Sequence, residues 1–182
     1  MISRLVRRLL ARADRNLRED EAPSSSPVLL RSDLPIAYSW VLTNRLAIGP
    51  MPTSEAHWQQ LEQAGFRQRF SCCYPEEERL APPPPHWGNT GLALPDHRQQ
   101  EELRPERLAD ALAAAQASLS AGSPLYLHCL AGRERSPLLA VGITARLRDL
   151  DLFAALDWVR RCHPPALPIY GHLELLERVL KS

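Results

Sequence analysis

The stretch 125–137, Leu-Tyr-Leu-His-Cys-Leu-Ala-Gly-Arg-Glu-Arg-Ser-Pro, constrains the fold of this chain more than any other. Residues 125–128 read as a short buried strand, and the strand delivers Cys129 to the edge of a sheet. Gly132 lets the backbone curl into a tight loop, and Ser136-Pro137 reads as the start of a helix. Helix N-termini carry unpaired N–H groups and a partial positive charge, so they attract anions. The same field favours thiolate over thiol at a nearby cysteine. A curled loop points successive N–H groups inward, and Arg135 adds a planar fork able to grip two phosphate oxygens. Cysteine, anion cradle and arginine together describe a phosphate-ester site with a thiolate nucleophile.

The rest of the chain alternates between strands and helices. Residues 38–42 and 45–48 read as a hairpin around Thr43-Asn44, and Thr53 or Ser54 caps a helix that runs to Ala64 and stops at Gly65. Residues 66–73 are a strand, and the proline run 82–85 stiffens the loop after it. Residues 89–94 read as another strand, ending at Pro95-Asp96. Pro105 opens an alanine-rich helix that stops at Gly122, and helices over 151–162 and 170–180 close the chain. This pattern predicts an α/β class: a small central sheet flanked by helices.

At 182 residues, with 45% apolar and 24% charged side chains, the chain has the makeup of one globular domain with a short appendage. Residues 2–17 place Ile2, Leu5, Val6, Leu9, Leu10, Ala13 and Leu17 on one helical stripe. Arginines 4, 7, 8, 12, 15 and 18 fall opposite, which makes an N-terminal amphipathic basic helix. Two readings stay open for it: weak contact with an anionic membrane surface, or packing on the domain. Residues 19–27 are a linker by composition, so the expected division is 1–31 for helix and linker and 32–182 for the folded domain. A net charge of +1 gives no general drive toward nucleic acid. Four cysteines (72, 73, 129 and 162) are too few for a disulfide scaffold. Without a zinc-type spacing among them, no metal site and no cofactor are expected. Arginines break every apolar run near the N-terminus and no run approaches the roughly 20 residues of a membrane span. A cytoplasmic monomer with reduced thiols is the expectation.

The stretch 128–136 resembles the loop of the cysteine-dependent dual-specificity protein phosphatases, H-C-x-x-G-x-x-R-[ST]. His128, Cys129, Gly132, Arg135 and Ser136 fill its five fixed places. The resemblance extends over most of residues 38–180. Residues 46–52 look like the family's early L-x-x-G-x-x-P strand and turn. Residues 70–78 look like its second strand and acidic loop, and 158–164 with 171–173 like its closing helix pair. Two places depart from the family. Where it often has Pro-Asn before the last helix, the asparagine bracing the phosphate loop, Pro168 is followed here by Ile169; another group has to brace the loop, or the loop is looser. Glu134 stands where small or uncharged residues are commoner.

The resemblance implies a dual-specificity-phosphatase-like fold and a role for each residue. Cys129 is the nucleophile, Arg135 grips phosphate, and Ser136 stabilises the departing thiolate or simply caps the helix. The backbone of Leu130, Ala131, Gly132, Arg133, Glu134 and Arg135 cradles the phosphate, and His128 braces the loop. The family takes the leaving-group proton from an aspartate about thirty residues before the cysteine. Asp96, which lies 33 residues upstream, fits, with Glu101 and Glu102 as fallbacks. Cys72 and Cys73 are expected to be core residues, the alternative being a disulfide that protects the oxidised nucleophile. Glu134 is expected to turn its side chain outward to the pocket rim. The implied function is hydrolysis of phosphate monoesters in phosphoproteins: phosphotyrosine, and phosphoserine or phosphothreonine as well if the pocket is shallow. The alternatives are a phospho-ligand-binding module with negligible turnover, or a phosphatase for a phosphoinositide, a glucan or an RNA end.

Overall fold

The hairpin expected around Thr43-Asn44 opens the sheet, with β1 (Ser39–Leu42) antiparallel to β2 (Leu46–Pro50). Asn44 supplies the left-handed conformation at the reversal, φ 56°. The structure, a computed structural model, describes residues 34–78 and 81–182. The expected N-terminal helix and linker, residues 1–31, lie outside the described residues.

Three further strands, β3 (Gln68–Ser71), β4 (Gly88–Gly91) and β5 (Leu125–Cys129), complete a five-stranded sheet of order β1-β2-β5-β3-β4. All pairs except the hairpin are parallel. β5 is therefore flanked by β2 and β3 and buried throughout. Side chains alternate across a strand, and β5 divides accordingly. Leu125, Leu127 and Cys129 enter the larger core with Ile48, Leu112, Leu139 and Leu176, whereas Tyr126 enters a smaller one with Trp58, Leu61 and Phe66.

The helices are α1 (Glu55–Gln63), α2 (Pro105–Leu119), α3 (Arg135–Arg148), α4 (Leu152–Cys162) and α5 (Tyr170–Lys181). Ser54 caps α1 by accepting from the His57 amide, Gly65 ends it at φ 93°, and Pro105 opens α2. α1 covers one face of the sheet and the other helices pack on the opposite face. The α/β class with a small central sheet is thus observed.

Two local expectations are corrected. The strand expected at 89–94 runs instead from Gly88 to Gly91. Leu92 and Leu94 still donate to the carbonyls of Ser71 and Cys72, at 3.0 and 3.1 Å, but Pro95 has no N–H to carry the ladder on. The segment therefore leaves the sheet and carries Asp96 over its edge. Likewise α3 starts at Arg135, one residue before the expected Ser136-Pro137, so Ser136 is a buried residue of the first turn and not the cap.

Candidate active site

Parallel strands present their C-terminal ends along one sheet edge, where open α/β sheets bind ligands. Cys129, the last residue of β5, lies on that edge next to Pro50. The loop after it must curl between β2 and α3. Gly132 adopts φ 69° there, and a Cβ on it would lie 2.6 Å from the Gly49 carbonyl carbon, so only glycine fits. The first turn of α3 brings Ser136 back under the cysteine, and its hydroxyl donates to Cys129 Sγ at 3.3 Å.

Arg135 is only 2% exposed, and its guanidinium is held by carboxylates from two other segments. Glu77, in the β3–β4 loop, accepts from both terminal nitrogens at 2.7 and 3.1 Å, and Asp96 Oδ2 lies 3.0 Å from Nη2. Arg98 closes the arrangement by donating to Asp96 Oδ2 at 2.6 Å and to Glu77 Oε1 at 2.5 Å. Burial alone would raise the pKa of Asp96. The Arg98 side chain and amide, with the Arg135 charge, outweigh burial and hold the carboxyl below its usual range. Glu77 is likewise lowered, burial being outweighed chiefly by Arg135. Neither Glu77 nor Arg98 was singled out from the sequence. The three successive glutamates 76–78 were a signal, but nothing in them marked the one that reaches the arginine.

Three carbonyls of the loop are tied outward. Leu130 accepts from the Met51 amide at 3.1 Å, Arg133 from the Leu167 amide at 2.6 Å, and Gly132 from His163 Nε2 at 2.9 Å. A carbonyl only accepts, so His163 carries its proton on Nε2, and its Nδ1 accepts from the Ser39 hydroxyl at 2.8 Å. Burial lowers the pKa of His163, which keeps the ring neutral near pH 7. These contacts brace the loop without the family's asparagine. His163→Ala is expected to lower stability by about 1–3 kcal/mol, the cost of a buried carbonyl left without a partner. Thermal unfolding checks this.

Beneath the cysteine, His128 is fully buried and its pKa falls to about 3, driven by desolvation and then by the Arg69 charge. Arg69 Nη1 lies 3.1 Å from His128 Nε2 and can only donate, so the neutral ring accepts there. Arg69 also donates to Glu78 at 2.7 Å and to Asn89 at 2.5 Å, and Ser71 donates to Glu78. This arrangement ties His128 to Arg69 of β3 and keeps the ring neutral near pH 7, with its one proton on Nδ1.

Several other residues can now be placed. Cys72 and Cys73 follow β3 and are buried free thiols; burial pushes Cys73 up to about 12 and raises Cys72 well above the usual thiol value. Of the fallback acids, Glu101 is exposed and engaged by Tyr74 and Arg107, and Glu102 is exposed, so of the three carboxylates expected from the sequence Asp96 is the one brought against Arg135, beside Glu77. The outward-turned Glu134 expected from the sequence is corrected. Its side chain reaches across to the Asp96 segment, where Oε1 lies 2.6 Å from His97 Nδ1 and Oε2 accepts from the His97 amide at 3.2 Å. Two groups of metal-type donors gather nearby, Cys73 with Glu78 and His128, and Asp96 with His97 and Glu134. Guanidinium groups already occupy both, Arg69 in the first and Arg98 and Arg135 in the second, and these oppose a further cation. No helix among the described residues is long and apolar enough to cross a membrane.

No protein-family model matches the chain, and no curated protein matches it by sequence. Solved structures do match it. Human DUSP28 superposes with a TM-score of 0.61 at 24% identity, covering 79% of this chain and 93% of that one. The structure of PTPMT1 in complex with PI(5)P gives 0.67 at 17% identity, covering 79% and 94%. The human tyrosine phosphatase-like serine/threonine/tyrosine-interacting protein gives 0.66 at 17%, covering 78% and 93%. The fold is therefore that of the dual-specificity phosphatases.

Proposed function

We propose that this chain is a phosphatase that hydrolyses phosphate monoesters of proteins, phosphotyrosine and also phosphoserine or phosphothreonine, through a phosphocysteine on Cys129. The observation that carries the reading is the convergence of Cys129, Ser136, Arg135 and Asp96, from one loop and one neighbouring segment, at the sheet edge. With the carbonyls of Leu130, Gly132 and Arg133 tied outward, the amides of residues 130–135 are left to an anion.

An entering phosphate takes over the Arg135 contact that Asp96 makes, which frees the carboxyl to take a proton. Cys129 thiolate attacks phosphorus while Arg135 and the loop amides stabilise the equatorial oxygens. The ester P–O bond breaks and the leaving oxygen takes the proton from Asp96. Asp96, now a carboxylate, accepts a proton from water as that water attacks phosphorus. The S–P bond breaks, inorganic phosphate leaves, and Ser136 donates to the departing thiolate. The cycle calls on no metal or cofactor. The proposed setting is the cytoplasm, where thiols stay reduced.

Hydrolysis of p-nitrophenyl phosphate in the presence of a chelator tests the activity, and a panel of phosphopeptides and phosphoinositide vesicles tests the substrate. Turnover with preference for phosphopeptides is expected. Preference for the lipid would favour the alternative suggested by the fold neighbour crystallised with PI(5)P. Tungstate binding without turnover would make the chain a phospho-ligand-binding module.

A further inference from the structure

We propose that Glu134 is a positioning residue: it latches the segment carrying Asp96 onto the phosphate loop through His97. The inference rests on the phosphatase reading and goes beyond it in assigning what sets the proton donor over the pocket.

Glu134 occupies the N-cap position of α3, where a side chain ordinarily turns back to the free amides of its own helix, yet it makes no capping hydrogen bond. It spans 37 positions of sequence instead, and both of its oxygens engage one residue. One oxygen meets the ring of His97 at 2.6 Å and the other accepts from its amide at 3.2 Å. The amide contact is the informative one, because it fixes backbone immediately next to Asp96. His97 is 66% exposed at its side chain and Glu134 only 21%, so the carboxylate of the phosphate loop is the more enclosed partner. Without this pair, the described contacts of Asp96 itself with charged groups are those with Arg98 and Arg135. A phosphate entering the pocket competes for Arg135. At that moment the Glu134–His97 pair, together with the Arg98–Glu77 contact, keeps the acid segment over the ester while Asp96 exchanges partners.

Exposed ion pairs add little to global stability, whereas small displacements of a reacting group cost much rate. A latch should therefore show in the leaving-group dependence of the rate and not in the melting temperature. Phenyl phosphate needs its leaving oxygen protonated far more than p-nitrophenyl phosphate does. In Glu134→Ala the ratio of kcat for p-nitrophenyl phosphate to that for phenyl phosphate is expected to rise roughly 10- to 100-fold, with an unchanged melting temperature. Glu134→Gln, whose amide oxygen can still accept from the His97 N–H, should recover part of the loss. His97→Ala should shift the ratio in the same direction, and the double variant should be no worse than Glu134→Ala, since both remove one connection. Equal losses on both esters, or losses that multiply in the double variant, would overturn the latch. Inactivity of the unmodified protein on both esters would instead sink the phosphatase reading, and an Asp96→Ala variant with normal leaving-group dependence would move the acid elsewhere. If Asp96→Ala raises the ratio and Glu134→Ala leaves it as in the unmodified protein, only the latch fails.

Discussion

Cys129→Ser is expected to lower turnover by more than about 10⁴-fold, the scale seen when a catalytic nucleophile is removed, while tungstate binding stays within a few-fold of the unmodified protein. The two effects separate because different atoms cause them. Anion binding comes from the amides of the curled loop, from the helix end and from Arg135, whose positions are set by Gly132, Glu77 and the outward-tied carbonyls. A serine oxygen at position 129 disturbs none of these. It remains a hydroxyl at neutral pH, however, and so lacks the ready nucleophile that a thiolate provides. Steady-state kinetics with p-nitrophenyl phosphate and a calorimetric titration with tungstate give both numbers. Retained turnover would remove the covalent route; lost binding would mean that the thiolate itself organises the loop.

Asp96→Ala should lower kcat on alkyl and unactivated aryl phosphates by roughly 10²- to 10⁴-fold, with a smaller loss on p-nitrophenyl phosphate. The pH dependence has a definite sign. The Asp96 pKa is held low, mainly because Arg98 outweighs the effect of burial, and only the protonated form can donate to the leaving oxygen. The kcat/KM of the unmodified protein on unactivated esters, which reports the free enzyme, is therefore expected to be highest in the acidic range and to fall as pH rises through that pKa. In Asp96→Ala the fall should disappear. A pH–rate profile with phenyl phosphate checks both, and an identical falling limb in the variant would assign the proton to another group, Glu101 first.

The legible parts of the molecule were those written in local spacing. The strand at 125–128, the glycine at 132 and the helix that follows are adjacent in sequence, and each obeys a short-range rule: apolar run, positive φ, helix start. The cap at Ser54 and the stop at Gly65 were readable for the same reason. Asp96 was found only because its distance from Cys129 matched a known loop. Its strand was misplaced, since Gly88, Asn89 and Gly91 have little intrinsic strand preference and, with Thr90, form β4 by pairing with β3. Glu77 and His163 were not assigned because their roles exist only across the fold, at sequence separations of 58 from Arg135 and 31 from Gly132, and Arg98 because its local pairing with Asp96 gains its meaning from Glu77, 21 positions away. Glu134 shows the limit most clearly. Its identity was noticed and its direction was misjudged, because a rim position says nothing about the histidine that the sheet edge brings opposite it.

The central claim, a phosphoryl group carried on sulfur, is tested most directly by rapid quench of the enzyme with ³²P-labelled p-nitrophenyl phosphate, followed by peptide mapping. The account predicts a burst of p-nitrophenol matched by label on the peptide that contains Cys129, held at neutral to alkaline pH, released by mild acid or iodine as a thiol-linked phosphate is, and absent in Cys129→Ser. Turnover at full rate with no label on any peptide, or label on a residue other than Cys129, would contradict it.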